Sequence, residues 1–104
     1  MIAVRVLDGR SCPVIVCDTC GRPITDPGMA AVVWDMTQQG DRLPSLVHKG
    51  ACHDALDHGI KGEGGFPGWA ELSRWFVDLL HNSGLHGDRL DRAISDAEQW
   101  AGVL

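Results

Sequence analysis

Apolar and polar positions alternate along Ile2-Ala3-Val4-Arg5-Val6-Leu7 with the period of two that marks a β-strand. Asp8-Gly9 follows as a hairpin turn, and Cys12 to Val16 reads as the returning strand. Pro23-Ile24-Thr25-Asp26-Pro27-Gly28 has turn chemistry at both ends and reads as a loop. Ala30 to Asp35 predicts a third strand, Gln38 to Asp41 a turn, and Leu43 to Val47 a fourth strand. The period then changes. A short helix is expected from Gly50 to Asp57, stopped at Gly59, and Lys61-Gly62-Glu63-Gly64-Gly65 reads as a flexible connector.

Beyond the connector, Trp69, Leu72, Trp75, Phe76, Leu79 and Leu80 recur in three- and four-residue steps. They predict an amphipathic helix with Pro67 in its first turn and Ser83-Gly84 at its end. Asp88 is the expected N-cap of a last helix whose apolar face is Leu90, Ile94, Ala97, Ala101 and Leu104, with Trp100 at the edge. The fold class is therefore α+β: two short β-hairpins followed by a C-terminal helical hairpin. The division is residues 1–60, β-rich, and 66–104, two helices, packed together as a single domain. The Trp69, Leu72, Trp75, Phe76 and Leu79 face reads first as internal core and second as the anchor for a protein partner or a homodimer.

The two β-hairpins frame the candidate chemistry. Cys17-Asp18-Thr19-Cys20-Gly21 places two sulfurs on one tight turn, and His48-Lys49-Gly50-Ala51-Cys52 adds a nitrogen and a third sulfur. Four N and S donors in two close pairs suit a structural Zn²⁺ of Cys3His type, with Cys17, Cys20, His48 and Cys52 as ligands. A helix starting near His48 or Gly50 would project both of its ligands from one opening turn. His53 adjoins Cys52 and is the alternative fourth ligand. Cys12 reads as a small, half-buried strand residue. His53 and His58, five residues apart, read otherwise as surface histidines, as do His81 and His86. A redox dithiol, a disulfide and inert core thiols are the competing uses of the cysteines; Gly21-Arg22-Pro23 argues against the helix that a redox Cys-x-x-Cys opens. A thiolate-rich tetrahedron also suits iron.

The knuckle, the hairpin after it and the helix that follows resemble the treble-clef zinc fingers, small bacterial proteins with a LIM-like ligand order among them. Cys17 and Cys20 match the knuckle, and His48 and Cys52 match the strand-end or helix-start pair. The second pair has three intervening residues where the tightest LIM pattern has two. The resemblance covers about a third of the chain and implies a zinc-held scaffold rather than one function.

Composition then narrows the classes. The chain has 104 residues and a formal charge of −5, with nine Lys and Arg scattered along it. A phosphate-binding surface needs a basic face, so a nucleic-acid-binding or transcription-associated role is the alternative, requiring Arg5, Arg10, Arg22, Arg42 and Lys49 to converge near the knuckle. Catalytic zinc is the third class; the His-Glu-x-x-His and deaminase signatures are both missing from the chain. No apolar run approaches a membrane span, and the opening Met1 to Val6 lacks a signal-peptide pattern, so a cytoplasmic, non-catalytic interaction or regulatory protein is expected.

Overall fold

The computed structural model of the chain describes residues 1–100 and 102–103. The fold is α+β, with two three-stranded antiparallel sheets and three helices. The first sheet runs β1 (Ile2–Leu7), β2 (Arg10–Val16) and the two-residue β3 (Pro23–Ile24). β1 and β2 pair from Ile2↔Ile15 to Leu7↔Arg10. Asp8 and Gly9 close them at φ 51° and 75°, the positive values a two-residue hairpin turn demands.

The second sheet has β4 (Ala30–Asp35) at its centre, flanked by β5 (Ser45–His48) and β6 (Pro67–Glu71). Ala30, Ala31, Val32 and Val33 are all buried. A strand covered on both faces needs no polar alternation, which explains this unbroken apolar run. On one face Ala31, Val33, Val47 and Cys17 pack under Leu56 and Ile60 of α1 (Ala51–Gly62). On the other, Ala30, Val32 and Leu46 meet Leu72, Trp75 and Phe76 of α2 (Leu72–Asn82), with Ile15 and Ile24 closing in from the first sheet.

Two expectations are corrected here. Residues 67–71 form a strand and not the first turns of a helix: Trp69 lies opposite Val33 on β4. Trp69 shares the helical step with Leu72 by coincidence of spacing. The free edge of β4 claims the segment, because ladder bonds to a buried strand outweigh weak local propensity. The Trp69, Leu72, Trp75, Phe76 and Leu79 set is accordingly not one surface. Leu72 is 2% exposed, Trp75 and Phe76 are half-buried against the core, and Trp69 is exposed on β6.

The glycine-rich connector is likewise no flexible tether. α1 runs through Gly59, where Ile60 packing on the sheet offsets the glycine cost of about 1 kcal/mol. It stops in a Schellman turn: Gly64 N–H donates to the Lys61 carbonyl (3.0 Å) and Gly65 N–H to the Ile60 carbonyl (2.9 Å). Gly64 holds φ 84°, where a side chain would be strained. Asp35 then accepts from Phe66 N–H (3.1 Å) and from both Thr37 donors, pinning the corner that leads into β6.

A second Schellman turn ends α2, with Leu85 N–H donating to the Leu80 carbonyl (2.8 Å). α3 (Asp88–Glu98) follows, completing the C-terminal helix pair. Its N-cap is Gly87 and not Asp88; Asp88 and Asp91 lie in the first turn, where the helix dipole favours them. Leu90 and Ala93 are half-buried, whereas Ile94 and Trp100 are 48% and 68% exposed. Ala101 and Leu104 lie outside the described residues. No described helix is long and apolar enough to cross a membrane.

Truncating Leu72 to Ala should cost about 2–5 kcal/mol in urea unfolding, whereas Ile94→Ala should cost less than about 1 kcal/mol. A Cβ at Gly65 would lie 2.6 Å from Asp35 Oδ2 and 2.7 Å from Ile60 Cγ2, so Gly65→Ala should cost about 1–3 kcal/mol in the same assay.

Candidate metal centre

Cys17 and Cys20 lie on the turn that leaves β2, His48 is the last residue of β5, and Cys52 is the second residue of α1. The structure brings their four donor atoms within 4.8 Å of one another. Among the described residues no other group of three or more Cys, His, Asp or Glu side chains converges this closely. His48 and Cys52 do not share a helical turn: one ends a strand, the other opens a helix, and Gly50 at φ 84° makes the bend between them.

The knuckle is built by short backbone bonds. Gly21 N–H donates to the Cys17 carbonyl (3.0 Å), and Cys17 N–H to the Arg22 carbonyl (2.9 Å). Gly21 takes φ 76° to close the turn. Cys20 N–H points at the Cys17 sulfur at 3.5 Å, as expected for an amide that eases thiolate charge. Asp18 clamps this turn to the outer edge of β5. Its N–H donates to the Leu46 carbonyl (2.8 Å) and its carboxylate accepts from Leu46 N–H (2.7 Å). Thr19 Oγ1 donates to the Cys52 carbonyl (3.2 Å), tying the knuckle to α1.

The imidazole is oriented by a main-chain acceptor. His48 Nε2 lies 3.3 Å from the Pro23 carbonyl, while Nδ1 lies 3.4 Å from the Cys20 sulfur. A proton donated from Nε2 to Pro23 leaves the Nδ1 lone pair aimed into the cluster, the usual arrangement behind a metal-bound histidine.

The thiols are unequal. Burial raises the Cys17 thiol, but the N–H groups of Cys20, His48 and Thr19 outweigh that and bring it down to about 7. The Arg22 backbone lowers Cys20, and the Arg22 guanidinium adds to this against the cost of desolvation. Desolvation, followed by hydrogen bonds with the sulfurs of Cys17 and Cys20, pushes Cys52 up to about 11. Three sulfurs this close resist full ionisation without a cation among them. A metal ion answers that need, and a Cys3His donor set with no disulfide fits one.

His53 stands apart from the cluster. Its ring meets Trp69 edge-on at 5.6 Å and its Nε2 lies 3.4 Å from Asp57 Oδ1. Its side chain is only 15% exposed, which corrects the surface reading of this histidine. Cys12 is half-buried on β2, with its sulfur 3.7 Å from the Arg10 carbonyl. Of the five basic residues, Arg22 and Lys49 border the cluster, and Lys49 is held by the Glu71 carboxylate at 2.6 Å and 2.7 Å. Arg5 and Arg10 sit on the first hairpin and Arg42 follows β4, where its Nε donates to the Gln38 carbonyl. Sequence reasoning missed Asp18, Thr19 and the Pro23 carbonyl as supports of the site. Asp18 and Thr19 stand between the two cysteines, but nothing local distinguishes a clamp from a solvated turn.

Metal affinity should fall as pH falls. The metal-free thiols bind protons that the metal-bound site must release, so protons compete with the ion. Below about pH 7 the Cys17 and Cys52 thiols both start protonated, and each unit of acidification should weaken binding by about a hundredfold from these two alone, tenfold per thiol. Between about 7 and 11 the slope should be shallower, because Cys17 has already ionised while Cys52 has not. Competition titration against a chromophoric chelator across pH reads both slopes. Comparison of the chain with protein-family models, with curated proteins and with solved structures found no match.

Proposed function

We propose that this chain is a treble-clef-like zinc protein whose ion is structural, and that it works as a non-catalytic protein-interaction module. One observation carries the metal half of this: four donors from three elements converge on one point, enough to complete a tetrahedron from the chain alone. A closed tetrahedron leaves no position for water or substrate, which is the arrangement of a scaffold ion. A nitrogen with three thiolates in that geometry suits zinc. The order knuckle, β4–β5 hairpin, then α1 supports the treble-clef description.

The interaction half is supported by what the fold leaves uncovered. α3 exposes Ile94, and Trp100 follows just beyond its end, while Asp91, Arg92 and Asp96 supply the polar rim. Exposed aromatic and aliphatic side chains framed by charge are the usual anchors of a protein interface. The stripe on α2 contributes Leu79 at its outer edge, since Leu72 is spent on the core.

Elemental analysis of the purified chain should return one zinc per chain. Cys20→Ser should weaken zinc binding by about a hundredfold or more, and chelation should melt the fold around the knuckle, because binding and folding share one free energy there. A Cys20→Ser protein with unchanged metal content would refute the site. For the partner, Ile94→Glu combined with Trp100→Ala should keep metal content and secondary structure yet lose whatever the wild-type chain captures from cell extract. Identical capture by both would remove α3 from the interface.

A further inference from the structure

We infer that the chain pairs with a second copy of itself through the free edge of β1, as an antiparallel strand pair centred on Val4. This gives a definite form to the interaction role above and rests on it, but it uses neither the metal nor α3.

Hydrogen-bond alternation shows which way the edge faces. Met1 and Val16 exchange two backbone bonds, Val16 N to Met1 O at 2.8 Å and Met1 N to Val16 O at 2.7 Å. In an antiparallel pair bonded and non-bonded positions alternate. The bonded pairs are therefore Ala3 with Val14, Arg5 with Cys12 and Leu7 with Arg10. Ile2, Val4 and Val6 turn their N–H and C=O groups away from β2, and no other bond in the described residues reaches them.

The β5 and β2 edges are guarded, and β6 is guarded only at its first residue. Asp18 occupies both main-chain groups of Leu46 on the outer side of β5. β2 is covered by β3, and beyond it Pro13 removes a donor from the exposed side. β6 is five residues long and opens on Pro67. β1 carries none of these devices. Ile2, Val4 and Val6 are 59%, 62% and 71% exposed, and an unguarded apolar edge is a template for another strand.

The sequence of β1 is its own best complement. A two-fold axis at Val4 sets Ile2 against Val6 of the second copy and Val4 against its equivalent, each pair able to exchange two backbone bonds. The same register sets Ala3 against Arg5, so no like charges face each other directly. Charge opposes contact less at this surface than at the acidic remainder of the chain. The chain is −5 overall, yet residues 1–16 carry Arg5 and Arg10 against Asp8 alone. Two copies meeting here bring together the part of the molecule that is not acidic. The product is one six-stranded sheet in the order β3-β2-β1-β1-β2-β3.

Analytical ultracentrifugation with amide exchange on the zinc-loaded full chain tests this. The wild type should dimerise, and the amides of Ile2, Val4 and Val6 should be protected at high concentration and lose protection on dilution. Val4→Pro removes only an outward N–H, so the hairpin survives while the dimer weakens about tenfold or more. Val4→Lys sets two ammonium groups face to face and should weaken it independently of any effect on the turn. A chain that stays monomeric up to about 1 mM overturns the proposal. So does a dimer whose Ile2, Val4 and Val6 amides exchange freely, or one that neither variant weakens. A monomer that still loses its captured partner on Ile94→Glu and Trp100→Ala would end the self-pairing and leave the interaction role standing.

Discussion

Three sulfurs and one imidazole nitrogen held within 4.8 Å of one another are the constraint on which the rest of this structure turns. Such a cluster is costly by itself. Cys52 is driven up to about 11 because it is desolvated and faces two other sulfurs, while Cys17 is drawn down to about 7 by amide donors. The backbone around the site behaves as if built for charge. Amides point at Cys17, the Arg22 guanidinium serves Cys20, and a carbonyl orients His48. These supports make sense for thiolates sharing a cation and contribute little to three neutral thiols.

The cluster also decides the architecture near it. It joins the turn after β2 to the bend between the end of β5 and the start of α1, two segments separated by 27 intervening residues between Cys20 and His48. The knuckle fills the edge of β5 through Asp18, so the site closes a sheet edge as well as a coordination shell. Cys17 belongs at the same time to the core under α1, beside Ala31, Val33 and Val47. Site and core are one packed object, and a chain of 104 residues gains from such a staple because its apolar core is modest.

Against that rigid centre, the ends of the molecule are sparsely covered. β1 and α3 both keep apolar side chains in solvent, at opposite ends of the sequence and on different elements. The proposed interaction role would draw on such surfaces, and their separation would let the proposed self-pairing and partner capture use different faces. The −5 charge is carried outside the first hairpin, so repulsion between copies is weakest there.

Local pattern was enough for the first hairpin, for β4, for the helix ends at Gly84, and for the four donors. Each of these depends on near neighbours: alternation, a two-residue turn, an unbroken apolar run, or a Cys-x-x-Cys spacing. Local pattern failed where a distant partner decided the outcome. Pro67 to Glu71 became a strand because β4 had an open edge, and the glycine connector became a helix stop because Ile60 is anchored on the sheet. Likewise His53 turned inward toward Trp69, a residue whose place on β6 no helical period could foretell. The sequence by itself determined which residues could bind a metal and which runs could be buried. Tertiary structure alone decided which edges were filled and which faces stayed open, since hydrogen-bond demand at a sheet edge is satisfied by whatever segment the fold delivers there.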